Sequence, residues 1–81
     1  MSDRKRLRLT IPTARVFVNE LNTSSNKDIW HIEDYEGENT MNARSLLGVV
    51  YAVDTWSEVY LVNDTNPNTY LDFMTKYFYF K

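Results

Sequence analysis

Hydrophobic and polar residues alternate in two stretches of the chain, residues 6–11 and 58–62. This period is typical of strands that bury one face. In the first stretch, leucine and isoleucine share one face, and arginine and threonine share the other. In the second, Tyr60 points away from Val59 and Leu61. We therefore predict the first and last strands of a sheet here, with Tyr60 on its outer face.

Apolar residues at helical spacing predict three helices along the same chain. The first is predicted to be short, with Thr13 as its N-cap, and to end within the polar residues 22–26. The second is predicted to begin near Ser45. The third is predicted to begin at Asn66, which a proline follows, and to run to the end of the chain.

A hairpin completes the predicted set of elements. Residues 29–32 are rich in strand formers, and residues 34–39, which include Gly37, separate them from Thr40 and Met41. The predicted order is βαββαβα. At 81 residues the chain has room for one domain, residues 1–81. The predicted class is α+β, an open-faced sandwich with a four-stranded antiparallel sheet and three helices on one face.

Composition narrows the chemistry available to such a domain. The absence of cysteine excludes disulfides and thiolate metal sites and favours the cytoplasm. Two glycines, Gly37 and Gly48, are too few for a glycine-rich phosphate loop. His31 is the only histidine and is interpreted as structural, so we expect no metal, no cofactor and no enzymatic activity. The charged residues 1–6 lead into an alternating stretch, so no signal peptide or membrane span is expected.

Charge is unevenly distributed. Residues 1–15 carry a net charge of +4, whereas the remaining 66 residues carry −6. A basic edge on an acidic body attracts phosphate or an acidic protein, although a solvated strand face is the simpler interpretation. Nucleic-acid binding through the basic residues 4–8 is a less favoured alternative.

One segment of the chain resembles a known family. Residues 42–50 contain an asparagine, a basic residue, a serine, two large apolar residues and a glycine in this order. This segment resembles the one that leads into the second helix of HPr, the histidine-containing phosphocarrier proteins of the sugar phosphotransferase system. Thr13-Ala14-Arg15 lies where the family has its His-Ala-Arg active-site triplet. The length and the order of elements agree as well, so the resemblance implies the HPr fold.

The resemblance also implies a lost activity. In the family, the histidine takes phosphate from enzyme I and passes it on, and here Thr13 occupies that position. A hydroxyl is a far weaker nucleophile near neutral pH, so we expect the carrier cycle to be absent. Thr13 and Arg15 are the remaining candidates for weak binding of phosphate or sulfate at the start of the first helix.

Ser45 resembles the serine that a dedicated kinase phosphorylates in many HPr proteins. By the same resemblance, Arg44, Leu46, Leu47 and Val50 correspond to a surface that binds partner proteins. A structural role is the alternative, because serine is also among the best N-caps. Both roles are compatible with one another.

The sequence thus predicts a divergent HPr-like protein that acts as a non-catalytic protein-binding or regulatory module. The first alternative is an active phosphocarrier that uses Thr13 or an unaligned residue, and the second is the nucleic-acid-binding module. Trp56, with Tyr51, is a further candidate for a partner surface, although a core position is favoured for the tryptophan.

Overall fold

The computed structural model describes residues 4–79. These residues form four strands in one antiparallel sheet of order β1-β4-β2-β3. The predicted α+β class and the four-stranded antiparallel sheet are therefore confirmed. The elements are β1 (Lys5–Leu7), α1 (Ile11–Thr23), β2 (Trp30–Glu33), β3 (Thr40–Asn42), α2 (Leu46–Thr55), β4 (Val59–Asn63) and a 3-10 helix (Asp72–Tyr77).

Helix α1 begins earlier than predicted, because Thr10 is its N-cap and Thr13 is not. The Thr10 hydroxyl accepts the Thr13 N–H at 3.3 Å, and the Thr13 hydroxyl accepts the Thr10 N–H at 2.7 Å. Pro12 fits in the first turn, where the backbone N–H groups have no intrahelical acceptor. The predicted strand over residues 6–11 is therefore shorter than expected, at Lys5–Leu7, and the cap predicted at Thr13 is wrong.

The hairpin between β2 and β3 lies where the sequence predicts it. Residues 34–39 form its loop, and the Asp34 carboxylate accepts the N–H groups of Glu38 at 3.0 Å and Asn39 at 3.3 Å. Gly37 has a φ of 73°, a left-handed conformation that glycine adopts without steric cost. Side-chain capping and one glycine thus close the loop.

The third helix does not begin at Asn66 as predicted, and residues 80 and 81, which the prediction includes, lie outside the described residues. The side-chain oxygen of Asn63 accepts the N–H groups of Thr65 at 3.0 Å and Asn66 at 2.9 Å, which bends the chain into a turn. Asn68 then has a φ of 69°, which an α-helix does not allow. The chain becomes helical only at Asp72–Tyr77, as a 3-10 helix.

The segment after the 3-10 helix is extended and lies along the free edge of β1. Phe78 forms an antiparallel bridge with Leu7, and the Tyr79 N–H donates to the Arg6 carbonyl at 2.8 Å. An unpaired strand edge invites association with other chains, so this segment protects the edge of β1. The apolar side chain of Phe78 belongs to the core and is only 9% exposed.

The core lies between one face of the sheet and the helices. Phe17 of α1 is fully buried, and its ring meets the edge of Tyr77 with 5.3 Å between centroids. Helix α2 contributes Val49 and Ala52. The strands contribute the buried side chains of Leu7, Trp30, Ile32, Val59 and Leu61. Tyr60 lies on the opposite face, beneath the Arg4 guanidinium, which confirms its predicted orientation.

Glu20 attaches the 3-10 helix to α1. Its carboxylate accepts the Tyr77 hydroxyl at 2.8 Å and the Lys76 ammonium at 3.2 Å. Burial and the Glu20 carboxylate together raise the pKa of Tyr77 to about 12. The Tyr77 hydrogen bond in turn lowers the pKa of Glu20. The contact therefore stabilises the fold above the ordinary pKa of a glutamate and is lost as the pH falls through the lowered pKa.

We expect Phe78→Ala to lower the free energy of unfolding by about 3 kcal/mol, because it removes a buried ring at the covered edge. Tyr79→Ala is the matched control, since its side chain is 41% exposed and its ring contacts Arg6. It is expected to cost no more than about 1 kcal/mol. Urea denaturation measures both, and equal losses would contradict the burial of the Phe78 ring in the core.

Candidate functional site

Ser45 lies at the start of helix α2, as predicted, and is its N-cap. Its hydroxyl accepts the Gly48 N–H at 3.2 Å, and its carbonyl accepts the Val49 N–H at 2.9 Å. The Ser45 N–H donates to the Asn42 carbonyl at 3.0 Å, which joins the helix start to β3. The residue is exposed, so its hydroxyl combines a structural role with access from solvent.

Arg44, which is predicted as a partner contact, makes hydrogen bonds within the fold. Its guanidinium donates to the carbonyls of Leu21 at 3.1 Å, Asn26 at 2.9 Å and Asp28 at 3.1 Å. Helix α1 has no basic residue in its last turn, so Arg44 supplies the cation that the carbonyl end of this helix favours. The side chain therefore fixes the start of α2 against the end of α1.

The first turns of α2 expose apolar side chains. Leu47 is 83% exposed and Leu46 is 41% exposed. Tyr51, four residues after Leu47 and so on the same helical face, is 52% exposed. We call Ser45, Leu46, Leu47 and Tyr51 the α2 surface.

Val50 and Tyr51 differ in how far their positions on α2 follow the prediction. Val50, predicted as a partner contact, is half-buried and packs against the core. Tyr51 was predicted beside Trp56 and not beside Leu47, and the i, i+4 spacing is the signal that places it on the α2 surface.

Thr13 and Arg15, the predicted anion-binding candidates, both lie on α1, and Thr13 is engaged in the cap of the helix. The Thr13 hydroxyl lies 2.7 Å from the Thr10 nitrogen and 3.2 Å from the Thr10 carbonyl oxygen, within the capping box. The Thr13 N–H is also used by the cap, and Pro12 has no N–H. Within the first turn of α1, as the structure describes it, Ile11 alone keeps an N–H without a capping partner.

The start of α2 packs beside the end of α1, far from Thr13. The Asn22 amide donates to the Arg44 carbonyl at 3.0 Å, next to the Leu21 contact. Eight residues separate Thr13 from Leu21, about 12 Å along a helix axis. The structure therefore does not bring the two predicted sites together.

The basic residues of the first strand are largely engaged within the fold. Arg4 pairs with Glu33 at 2.7 Å, and its guanidinium lies 3.9 Å from the centre of the Tyr60 ring. The Arg6 guanidinium lies 4.0 Å from the centre of the Tyr79 ring. Arg4 is thus held by an ion pair and Arg6 by a ring contact, whereas Lys5 and Arg8 are exposed.

His31 lies on the outer face of the sheet between two carboxylates. Its Nδ1 is 2.7 Å from Asp64 and its Nε2 is 3.0 Å from Glu33. The two carboxylates lie on different ring nitrogens and do not converge on one point. The described residues contain no group of three histidine, cysteine, aspartate or glutamate side chains placed to hold a metal ion.

Trp56 is half-buried and packs against the core, in agreement with the favoured prediction. It also lines two shallow recesses, of about 180 Å³ and about 250 Å³. The first recess includes Arg6 and Arg8, and the second includes Asp34 and Glu36. Both are small and open beside the 300–1,000 Å³ that are roughly typical of ligand sites.

Comparison with known proteins identifies no relative from which a function of this site could be inferred. No family model, curated protein or solved structure matches the chain. Within residues 4–79, every helix is too short or too polar to span a membrane. The contacts of the chain itself therefore carry the functional proposal.

We expect Arg44→Lys to lower the free energy of unfolding by about 1.5 to 3 kcal/mol, because one ammonium cannot reach the same three carbonyls. The matched control is Arg15→Lys, an exposed arginine on α1 that should change stability by less than about 0.5 kcal/mol. Urea denaturation of both variants measures the difference. A stable Arg44→Lys variant would contradict the role given to the guanidinium.

Proposed function

We propose that this chain is a divergent HPr-like protein that acts as a non-catalytic protein-binding or regulatory module through the α2 surface. The observation that carries the proposal is the exposure of Leu47, at 83%, two residues after a capping serine. An exposed leucine beside a second large apolar side chain favours contact with a protein partner. The order of elements and the antiparallel sheet agree with the resemblance.

The proposal includes phosphorylation of Ser45 as its regulatory step. A kinase would transfer the γ-phosphoryl group of ATP to the Ser45 oxygen, releasing ADP and the hydroxyl proton. The first turn of α2 contains no acidic residue that would repel the phosphate. The free N–H groups and positive dipole of a helix start favour a phosphate there, so the fold should change little while the surface charge changes.

The carrier alternative has less support from the contacts of Thr13. Its hydroxyl is held in the capping box with Thr10, and among residues 4–79 no basic side chain forms a hydrogen bond with it that would activate it. Phosphorylation of Thr13 would also remove the hydrogen bond that its hydroxyl donates to the Thr10 carbonyl, whereas the Ser45 hydroxyl only accepts at its cap. The nucleic-acid alternative is similarly weakened, since Arg4 pairs with Glu33 and Arg6 stacks on Tyr79.

The kinase reaction tests the regulatory step. We expect incubation with HPr kinase and ATP to add one phosphate, which intact-mass spectrometry and peptide mapping should place on Ser45. Ser45→Ala is the control for the site and should remain unmodified, with a loss of stability of about 1 kcal/mol from the missing cap. No phosphate on the folded wild-type protein would contradict the proposed regulation.

The same reaction tests the docking role of Leu47. We expect Leu47→Ser to raise the KM of the kinase for this protein about tenfold, because one desolvated leucine contact accounts for an effect of that order. The fold should be unaffected, since the side chain is exposed. Ile29→Ser is the matched control, because Ile29 is a 68% exposed aliphatic residue outside the α2 surface. Equal effects of the two substitutions would exclude a specific role for this leucine.

A further inference from the structure

Two carboxylates hold the imidazole of His31 from opposite sides of the ring. Nδ1 lies 2.7 Å from Asp64, in the turn that follows β4. Nε2 lies 3.0 Å from Glu33, two residues further along β2. Glu33 is 8% exposed, so this carboxylate depends on protein partners in place of water. The ring thus connects β2 to the turn after β4.

The other groups around the imidazole define its electrostatic surroundings. Arg4, before β1, pairs with the second oxygen of Glu33 at 2.7 Å. On β3 the residue opposite His31 is Asn42, and on β4 it is Val62, so neither neighbouring strand places a charge directly across from the ring. Among the described residues, Glu33 has two cationic partners and Asp64 has His31 alone.

The protonation state of the ring decides whether both contacts persist. An imidazolium donates from both nitrogens, whereas a neutral imidazole has one N–H and must lose one of the two donor contacts. Glu33 keeps Arg4 in either case. Asp64, whose side chain is 41% exposed, is therefore the partner that turns toward water when the proton leaves.

We propose that His31 forms a pH-dependent contact. The protonated ring holds the turn after β4 against β2, and the neutral ring releases Asp64. Burial alone would lower the pKa of His31, but the hydrogen bonds and charges of Asp64 and Glu33 outweigh it and raise the pKa above the ordinary value of 6.5. The folded state therefore binds the proton more tightly than the unfolded state. Its contribution to stability is present below about pH 6.5 and is lost as the pH rises through the raised pKa.

Because His31 is the only histidine, its ring can be followed without ambiguity by NMR. We expect the imidazole resonances to titrate with a midpoint above that of the urea-unfolded chain. The backbone amide of Asp64 should shift with the same midpoint. Asp64→Asn should move the midpoint downward, toward the unfolded value. Asp54→Asn is the matched control, since Asp54 is an exposed carboxylate on α2, and should leave it unchanged.

The pH dependence of the free energy of unfolding is an independent measurement of the same His31 contact. Urea denaturation between about pH 5.5 and 8.5 should show a free energy of unfolding that falls as the pH rises, with a slope that is reduced in Asp64→Asn. His31→Gln should lose this dependence. A wild-type midpoint at or below the unfolded value, or an Asp64→Asn midpoint equal to the wild type, would overturn the proposal.

Discussion

The guanidinium group of Arg44 supplies the hydrogen bonds on which the position of helix α2 depends. It donates to three carbonyls, one at the end of α1 and two in the segment that leads to β2. The Asn26 side chain in that segment also accepts the indole N–H of buried Trp30 at 2.9 Å. One cation therefore connects two helices and a core strand. Since Ser45 follows Arg44 directly, the place of the α2 surface is set by the fold and not by a flexible loop.

The parts of the structure that depend on local sequence could be predicted. The alternation around Tyr60 is enough to orient β4, because side-chain period and burial agree there. The start of α2 follows from Ser45, since an N-cap acts only on the next few residues. The loop around Gly37 is likewise local. Each of these features needs information from no more than about six neighbouring residues.

The parts that failed depend on competition or on distant contacts. Thr10 and Thr13 are both good caps, and their reciprocal bonds select the first, which places the predicted phosphohistidine position inside the helix. After the turn at Asn63, the left-handed conformation of Asn68 is incompatible with an α-helix that begins at Asn66. The role of Arg44 rests on carbonyls 16 to 23 residues away, which spacing along the chain does not indicate. The resemblance therefore singled out residues 42–50 but did not indicate which groups the Arg44 side chain contacts.

Together, these contacts support the proposal of a protein-binding module over that of a phosphocarrier. At one end of α1, Thr13 completes a cap and offers few free N–H groups to an anion. Beside the other end, Leu47 is exposed next to a serine that is accessible from solvent.

The central claim, that this chain does not accept phosphate from enzyme I for onward transfer, is tested most directly by incubation with enzyme I and phosphoenolpyruvate followed by intact-mass spectrometry. An HPr protein that has the active-site histidine serves as the positive control in the same reaction. The account predicts no added phosphate on this chain while the control is modified. An acid-labile phosphate that depends on enzyme I, on any residue of the chain, would contradict it.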